Sequence, residues 1–214
     1  MFLAYLPMSN AYDGFDISSR VIVDIKMGIR TFLVREMSKT KERTDLFEKS
    51  DILNYLDPEI PLPEERTKAA YLDYRDRLTS TRTLGFRIDA SIIRNEESVE
   101  KEYKKLRKEE DVLSKFNELF SHCEARYNVR EELVERLEKV MLPRIEESIF
   151  FKTHEVIGSS LLVVCDSKHI NVLIIDFGKS ERLPEGETID HRKEWIKGEN
   201  REDGYLTGFG NLIK

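Results

Sequence analysis

Cysteine is scarce in this chain: Cys123 and Cys165 are the two among 214 residues, with no CxxC spacing. That rules against a disulfide framework and reads as a pair of reduced thiols. His122, His154, His169 and His191 show no metal-ligand spacing with them, which leaves surface or capping roles for the histidines. Long apolar runs are missing too. None approaches the ~20 residues of a membrane span, and residues 1–7 are too short, and lack the basic flank, for a secretory signal. The expected location is the cytoplasm, with the nucleus as a second possibility. Nor is there a basic surplus, since 35 Lys and Arg stand against 41 Asp and Glu for a net charge of −6. A nucleic-acid binder held by overall charge is thereby disfavoured. No GxxxxGK[ST], Gly-rich loop, HRD…N loop, APE segment or GxSxG elbow occurs. P-loop enzymes, protein kinases and serine hydrolases lose their support with those motifs.

What is present is a highly charged chain, 36% Asp, Glu, Lys and Arg beside 40% hydrophobic residues. Its length suits one sizeable domain or two small lobes sharing a cleft. The most informative stretch runs from Arg20 to Arg30. Val21, Ile22 and Val23 are β-branched and favour a short buried strand. Asp24 and Lys26, two apart, then share one face of an extended backbone. Gly28 follows where a side chain would obstruct an approaching ligand. A strand ending in an anion, a cation and a glycine suits a phosphate, although a solvent-facing ion pair would look the same.

A second strand exit echoes the first. The apolar run 170–176 ends in Asp176, followed by Phe177, Gly178 and Lys179. A carboxylate held at a strand end can ligate a hard cation such as Mg²⁺, and Gly178 leaves room for phosphate oxygens. A turn-initiating Asp is the alternative. A third candidate is a helix expected from Pro63 to about Leu78, with Glu64 and Glu65 in its first turn. Lys68, Tyr71 and Arg75 share one face of it, with Arg66, Arg77 and Arg82 nearby. That face is either an anion grip or a solvated charged surface.

The remaining elements are scaffold. Helices are expected over 31–39, with Phe32, Leu33 and Met37 inward, and over 45–56. A strand is expected over 81–89, an exposed charged loop over 94–110, and a helix over 110–122 carrying Val112, Leu113, Phe116, Leu119 and Phe120. A longer helix over 129–150 carries Leu133, Leu137, Val140, Met141, Ile145 and Ile149, kinked at Pro143. Strands over 155–166 and 170–176 and a short helix over 205–213 complete the chain.

Five stretches resemble one family in register and in order: VDIKMGIRTF at 23–32, TLGFRI at 83–88, HEVIGSSLL at 154–162, IDFGK at 175–179 and DHRKEWIKGENREDGYL at 190–206. The family is the inositol polyphosphate kinases, and the resemblance is greatest to the inositol 1,4,5-trisphosphate 3-kinases. It implies an α+β architecture, the large lobe of a two-lobed kinase-like (SAICAR synthase-like) fold, with residues 1–214 forming one kinase domain and 31–80 a helical substrate-binding insert. It also implies ATP and Mg²⁺ as cofactors and transfer of phosphate to a soluble inositol phosphate, at the 3-hydroxyl of the 1,4,5-trisphosphate.

Residue by residue, the resemblance makes Asp24 a nucleotide contact and Lys26 the group that reaches the reacting hydroxyl and the transferred phosphate. Asp176 becomes the metal- and ATP-binding carboxylate, with Ser160 beside the metal. Lys68, Tyr71, Arg75 and Lys179 become inositol phosphate contacts. Three departures stand out: Arg20 replaces a family proline, Ile92 or a neighbour replaces a lysine (Arg94 being the nearest cation), and upstream strands of a nucleotide lobe are not in the given chain. Residues 2–6 are expected to be the remnant of a hinge strand that meets adenine. A non-catalytic inositol-phosphate-binding pseudokinase, or an incomplete gene product, is the alternative. Calmodulin-type control, known for such kinases, is not readable in residues 43–56. No nucleic-acid partner is expected.

Overall fold

The computed structural model describes residues 9–48, 57–94, 103, 106–123 and 128–214. Its strands, in chain order, are β1 (Val21–Met27), β2 (Phe86–Ile93), β3 (His154–Glu155), β4 (Ser160–Cys165), β5 (Ile170–Ile175) and β6 (Glu181–Arg182). The helices are α1 (Thr44–Phe47), α2 (Lys68–Arg77), α3 (Ser80–Leu84), α4 (Glu109–Ser121), α5 (Val129–Glu135), α6 (Leu142–Glu147), α7 (Ile149–Thr153) and α8 (Tyr205–Ile213). The α+β architecture that the resemblance implied is the one observed.

Four strands form one antiparallel sheet in the order β2-β1-β4-β5. Alternation divides β1 cleanly. Val21, Val23, Ile25 and Met27 enter the main core beside Phe86, Ile88, Leu161, Val163 and the α8 residues Tyr205 and Phe209. Fully burying each such aliphatic or aromatic side chain contributes about 1.5–3 kcal/mol. Asp24 and Lys26 therefore point to the opposite face, flanked on β4 by Leu162 and Ser160 and on β2 by Ala90 and Arg87. The β1–β2 register slips between Asp24 and Ile25, which leaves Asp89 as the extra residue of a bulge. The β4–β5 hairpin closes on Asp166, whose Oδ1 accepts the Lys168 and His169 amides at 2.7 Å each.

Several expected boundaries shift, each for a local reason. Residues 31–39 form no α-helix. Phe32 and Leu33 are buried ahead of a 3₁₀ turn, Val34–Ser38, closed by Glu36 accepting the Leu33 amide. The helix expected from Pro63 starts at Lys68, because Thr67 takes the cap position and accepts the Ala70 amide. Pro63, Glu64 and Glu65 precede it. Of the strand expected over 81–89, residues 81–84 belong to α3, capped by Thr79, and after a left-handed Gly85 residues 86–89 are strand, the start of β2. Of the helix expected over 45–56, residues 44–47 are α1, and 49–56 lie outside the described residues. Most of 94–110 and the hinge remnant at 2–6 lie outside them as well.

α4 matches expectation within a residue, although Leu113 faces solvent at 57% exposure. The long helix over 129–150 is not continuous. A π-helical turn, Arg136–Met141, separates α5 from α6, and Pro143 sits at the start of α6. The wide turn accommodates the proline, which cannot donate into the preceding helix. Leu133, Leu137 and Ile145 are buried there, whereas Val140 and Ile149 are exposed. The strand expected to begin at Glu155 begins at Ser160, because His154 and Glu155 pair with β6 in a separate ribbon. Cys123 and Cys165 are free, buried thiols with sulfurs 3.1 Å apart. Among the described residues no helix is long and apolar enough to cross a membrane.

Candidate active site

The polar face of the sheet opens onto a cavity of about 470 Å³ lined by Lys26, Thr31, Leu72, Arg75, Arg87, Asp89, Ile157, Gly158, Asp176, Gly178 and Lys179. Lys26 enters from β1. Its ammonium donates to the Gly158 carbonyl at 3.0 Å and lies 3.6 Å from Asp176 Oδ2. Asp176 follows β5 with φ 66 and ψ 56, a left-handed backbone that a non-glycine residue holds at a cost on the order of 1 kcal/mol. Its carboxylate is 60% exposed. Strain of this kind persists where the surrounding structure over-determines the backbone, and it clusters at active sites and ligand clamps.

Asp24 lies deeper on the same face. Burial pushes its carboxyl above the usual range, while the Ser160 hydroxyl beside it and the Lys26 charge oppose the rise. Asp24 Oδ1 and Ser160 Oγ are both buried beside each other, and neither makes a well-formed hydrogen bond to any other described residue. Two orphaned polar oxygens on one face, next to an exposed carboxylate, make a donor set that fits a hard cation. Among the described residues no group of three His, Cys, Asp or Glu forms a protein-only metal cage. Mg²⁺ does not need one, since it keeps several waters and binds through one or two carboxylates plus phosphate oxygens.

Across the cavity the charges are mostly positive. Lys179 donates to Thr31 O at 3.1 Å. Burial holds its ammonium below the usual lysine range, and the like charges of Lys68 and Arg75 add to the effect against Glu36 and Asp76. Arg87 is neutralised locally: it donates to Asp89 at 2.9 Å and to Thr81 Oγ1 at 3.0 Å and lies 3.6 Å from the buried Asp76. Asp76 in turn accepts the Thr31 amide at 2.7 Å. Burial alone would raise the Asp89 carboxyl, but Arg87, Lys26 and Arg75 hold it below the ordinary value. Lys26, Arg75 and Lys179 are left as the cations facing the cavity.

The structure thus brings Asp24, Lys26, Ser160, Asp176, Arg75 and Lys179 to one region. Lys68 does not line the cavity: it pairs with Glu36 at 3.4 Å, near enough to Lys179 for its charge to be felt there. Tyr71 does not line the cavity; its ring packs edge-on against Phe47 with centroids 5.5 Å apart. Gly28 also has a different role from the one its position suggested. A Cβ there would lie 2.8 Å from the Asp203 carbonyl, so the glycine admits a neighbouring backbone and not a ligand. Gly178 faces open space.

Sequence reasoning missed the support behind this site. Arg30 is fully buried, its guanidinium bonded to Glu155 at 2.7 Å and to the carbonyls of Phe32, Arg201 and Glu202. His191, expected at the surface, is buried against Asp203 at 2.8 Å. Neither residue carries a spacing signal, and only the pairing of distant segments reveals them. A larger cavity, about 900 Å³, opens between α5, the π turn and β5. Four of its lining charges are paired to each other, Glu132 to Arg136 and Glu135 to Lys139. None of Asp24, Lys26, Arg75, Ser160, Asp176 and Lys179 lines it, whereas Lys26, Arg75, Asp176 and Lys179 converge on the smaller cavity.

Residues 5–214 match the sequence profile described as inositol polyphosphate kinase. An inositol-trisphosphate 3-kinase homolog of Caenorhabditis elegans is 47% identical over 204 residues, covering 93% of this chain and 40% of that protein. Human inositol-trisphosphate 3-kinase A is 41% identical over 220 residues, covering 98% and 45%. The chain spans less than half the length of these relatives. The crystal structure of the inositol phosphate multikinase Ipk2 of S. cerevisiae, in complex with ADP and Mn²⁺, superposes with a TM-score of 0.57 at 17% identity, over 95% of this chain and 79% of that one. That likeness is one of fold. On the profile match, the chain belongs to the inositol polyphosphate kinase family.

Proposed function

We propose that this chain transfers the γ-phosphate of ATP to a hydroxyl of a soluble inositol phosphate, the 3-hydroxyl of inositol 1,4,5-trisphosphate. The observation that carries the reading is the placement of Lys26: tethered by Gly158, beside the strained Asp176, with Arg75 and Lys179 lining the same cavity. A trisphosphate brings roughly −4 to −6 charge, by analogy with the phosphates of modified residues. Several converging cations are what such a ligand requires, since charge-assisted bonds are the strong ones. The names of the curated relatives support the same substrate.

In this reading Asp176 and the Ser160 hydroxyl hold Mg²⁺, and Asp24 anchors polar groups of the nucleotide. Bound there, Mg²⁺ and ATP supply phosphate neutralisation and the phosphoryl group. Lys26 orients the acceptor hydroxyl and stabilises charge on the transferring group. Arg75 and Lys179, with Lys68 nearby, hold the other phosphates. Tyr71 contributes by packing the helix that carries Lys68 and Arg75. A dedicated general base is not required, because phosphoryl transfer depends mainly on positioning and electrostatics.

The test is phosphate transfer from labelled ATP to inositol 1,4,5-trisphosphate, with calorimetry of each ligand in parallel. Turnover that disappears in Asp176→Ala is expected. Trisphosphate binding with no ATP affinity and no turnover would leave a binding protein, and no binding of either would end the proposal.

A further inference from the structure

The strand end that presents Lys26 runs directly into a buried junction that the site itself does not use. The Ile29 amide donates to the Asp203 carbonyl at 2.7 Å, and the Gly28 amide to Gly85 O at 2.8 Å. The two backbones meet flush: a Cβ on Gly204 would strike the Ile29 side chain at 2.5 Å, just as one on Gly28 would meet Asp203. The Asp203 side chain then reaches a third segment. Its Oδ2 accepts the Val156 amide at 2.8 Å and its Oδ1 the Tyr205 amide at 2.9 Å.

His191 completes this arrangement. Its Nδ1 lies 2.8 and 2.9 Å from the two Asp203 oxygens, and its Nε2 lies 2.6 Å from the Phe151 carbonyl. A carbonyl can only accept, and a carboxylate that already takes two amides accepts as well, so both ring nitrogens donate and the ring is an imidazolium. The charged groups facing it are Asp203 and Glu202, the latter accepting the His191 amide at 2.9 Å. From α7 it meets the Phe151 carbonyl and ring, and from α8 the chain near Tyr205.

We propose that Asp203, clamped by a protonated His191, is the positioning residue for the Lys26 ammonium. Its carboxylate holds Val156, two residues before the Gly158 carbonyl that receives Lys26, and its backbone carbonyl holds Ile29, three residues beyond Lys26. One residue therefore fixes both the strand that carries the lysine and the acceptor that aims it. The turnover consequence rests on the kinase reading above; the geometric consequence does not.

The test compares the wild-type chain with Asp203→Asn and His191→Asn. Asparagine tolerates the left-handed backbone of residue 191, where φ is 62. Competitive acylation of lysines, read by peptide mass spectrometry, reports the freedom of each ammonium without any catalysis. Lys26 is expected to label at least ~10-fold faster in Asp203→Asn, while Lys68 outside the cavity stays within about twofold. kcat is expected to fall about 100-fold with KM for the trisphosphate within about threefold, the scale of loss for a group misplaced by about 1 Å. Unchanged Lys26 labelling in a variant that still unfolds cooperatively overturns the assignment. So does a kcat loss no larger than the loss of folded protein, or failure of both variants to fold, which makes the junction structural only. A wild-type chain that shows the labelling contrast but transfers no phosphate upholds the positioning and removes the kinase reading.

Discussion

Lys26 and Arg30 lie four residues apart in one segment, yet their surroundings are opposites. Arg30 and Glu155 are both 0% exposed, and all three guanidinium nitrogens are bonded. Lys26 sits at the mouth of a cavity beside a carboxylate that is 60% exposed, with orphaned oxygens of Asp24 and Ser160 on the same face. A sealed charge must be fully paired, because an uncompensated one in the interior costs several kcal/mol. An open cluster can hold charges in excess until a ligand neutralises them. The contrast separates the charges that hold the chain together from those left for chemistry.

The comparison breaks most readily at Lys26. Lys26→Ala is expected to lower kcat by at least ~10³-fold, the scale on which a transition-state cation acts in phosphoryl transfer, while leaving the melting temperature nearly unchanged. Activity close to wild type would move Lys26 to the structural side of the divide. Arg30→Ala should behave oppositely, losing about 3–5 kcal/mol in denaturant titration, because it removes the buried partner of Glu155, leaving only the half-buried Arg201 beside that carboxylate, and strips the donors from three carbonyls. A loss below about 1 kcal/mol would show that the sealed cluster is not a clamp. Replacing both partners, as Arg30→Met with Glu155→Leu, should recover much of that loss.

Arg75→Ala sharpens the comparison within the open cluster. No ion pair holds Arg75 among the described residues, so its removal should weaken trisphosphate binding about 10-fold in calorimetry, with nucleotide affinity within about twofold. Equal losses for both ligands would argue against α2 as the phosphate grip. Smallest is the pH effect of the sealed side. The hydrogen bond and charge of Asp203 hold the His191 imidazole above its ordinary value of 6.5, against the opposing effect of burial. A raised folded value means the stabilisation is complete below about pH 6.5 and is lost as pH climbs through the folded value. Melting temperatures of the wild type should therefore decline above neutral pH, and His191→Asn should flatten that slope. A parallel slope in both proteins would assign the decline to another group.

The legibility of the chain followed the same divide. Asp24, Lys26 and Asp176 were readable because each interrupts an apolar strand with a charge, a local mismatch that buried strands do not otherwise tolerate. The elements misread were short ones. TRTL at 81–84 alternates like a strand, but the Thr79 cap and the left-handed Gly85 make it one helical turn. The π turn before Pro143 was invisible, since the apolar stripe of 129–150 looks the same with or without it. His191 and Asp203 carry ordinary surface residue types, and nothing in their spacing announces that both are buried.

Pattern alone determined the apolar runs of β1, β4 and β5, and motif order carried the resemblance to the family, which in turn implied the α+β class, because periodicity and motif order are properties of the one-dimensional chain. Only the tertiary structure decided which charges are shared and which are free. Arg30 and Lys26 are equally basic in the sequence, and it is the return of residues 155 and 201–203 to the end of β1 that encloses one and leaves the other on the wall of a cavity. Burial and pairing are set by segments more than a hundred residues apart, and no local pattern records them.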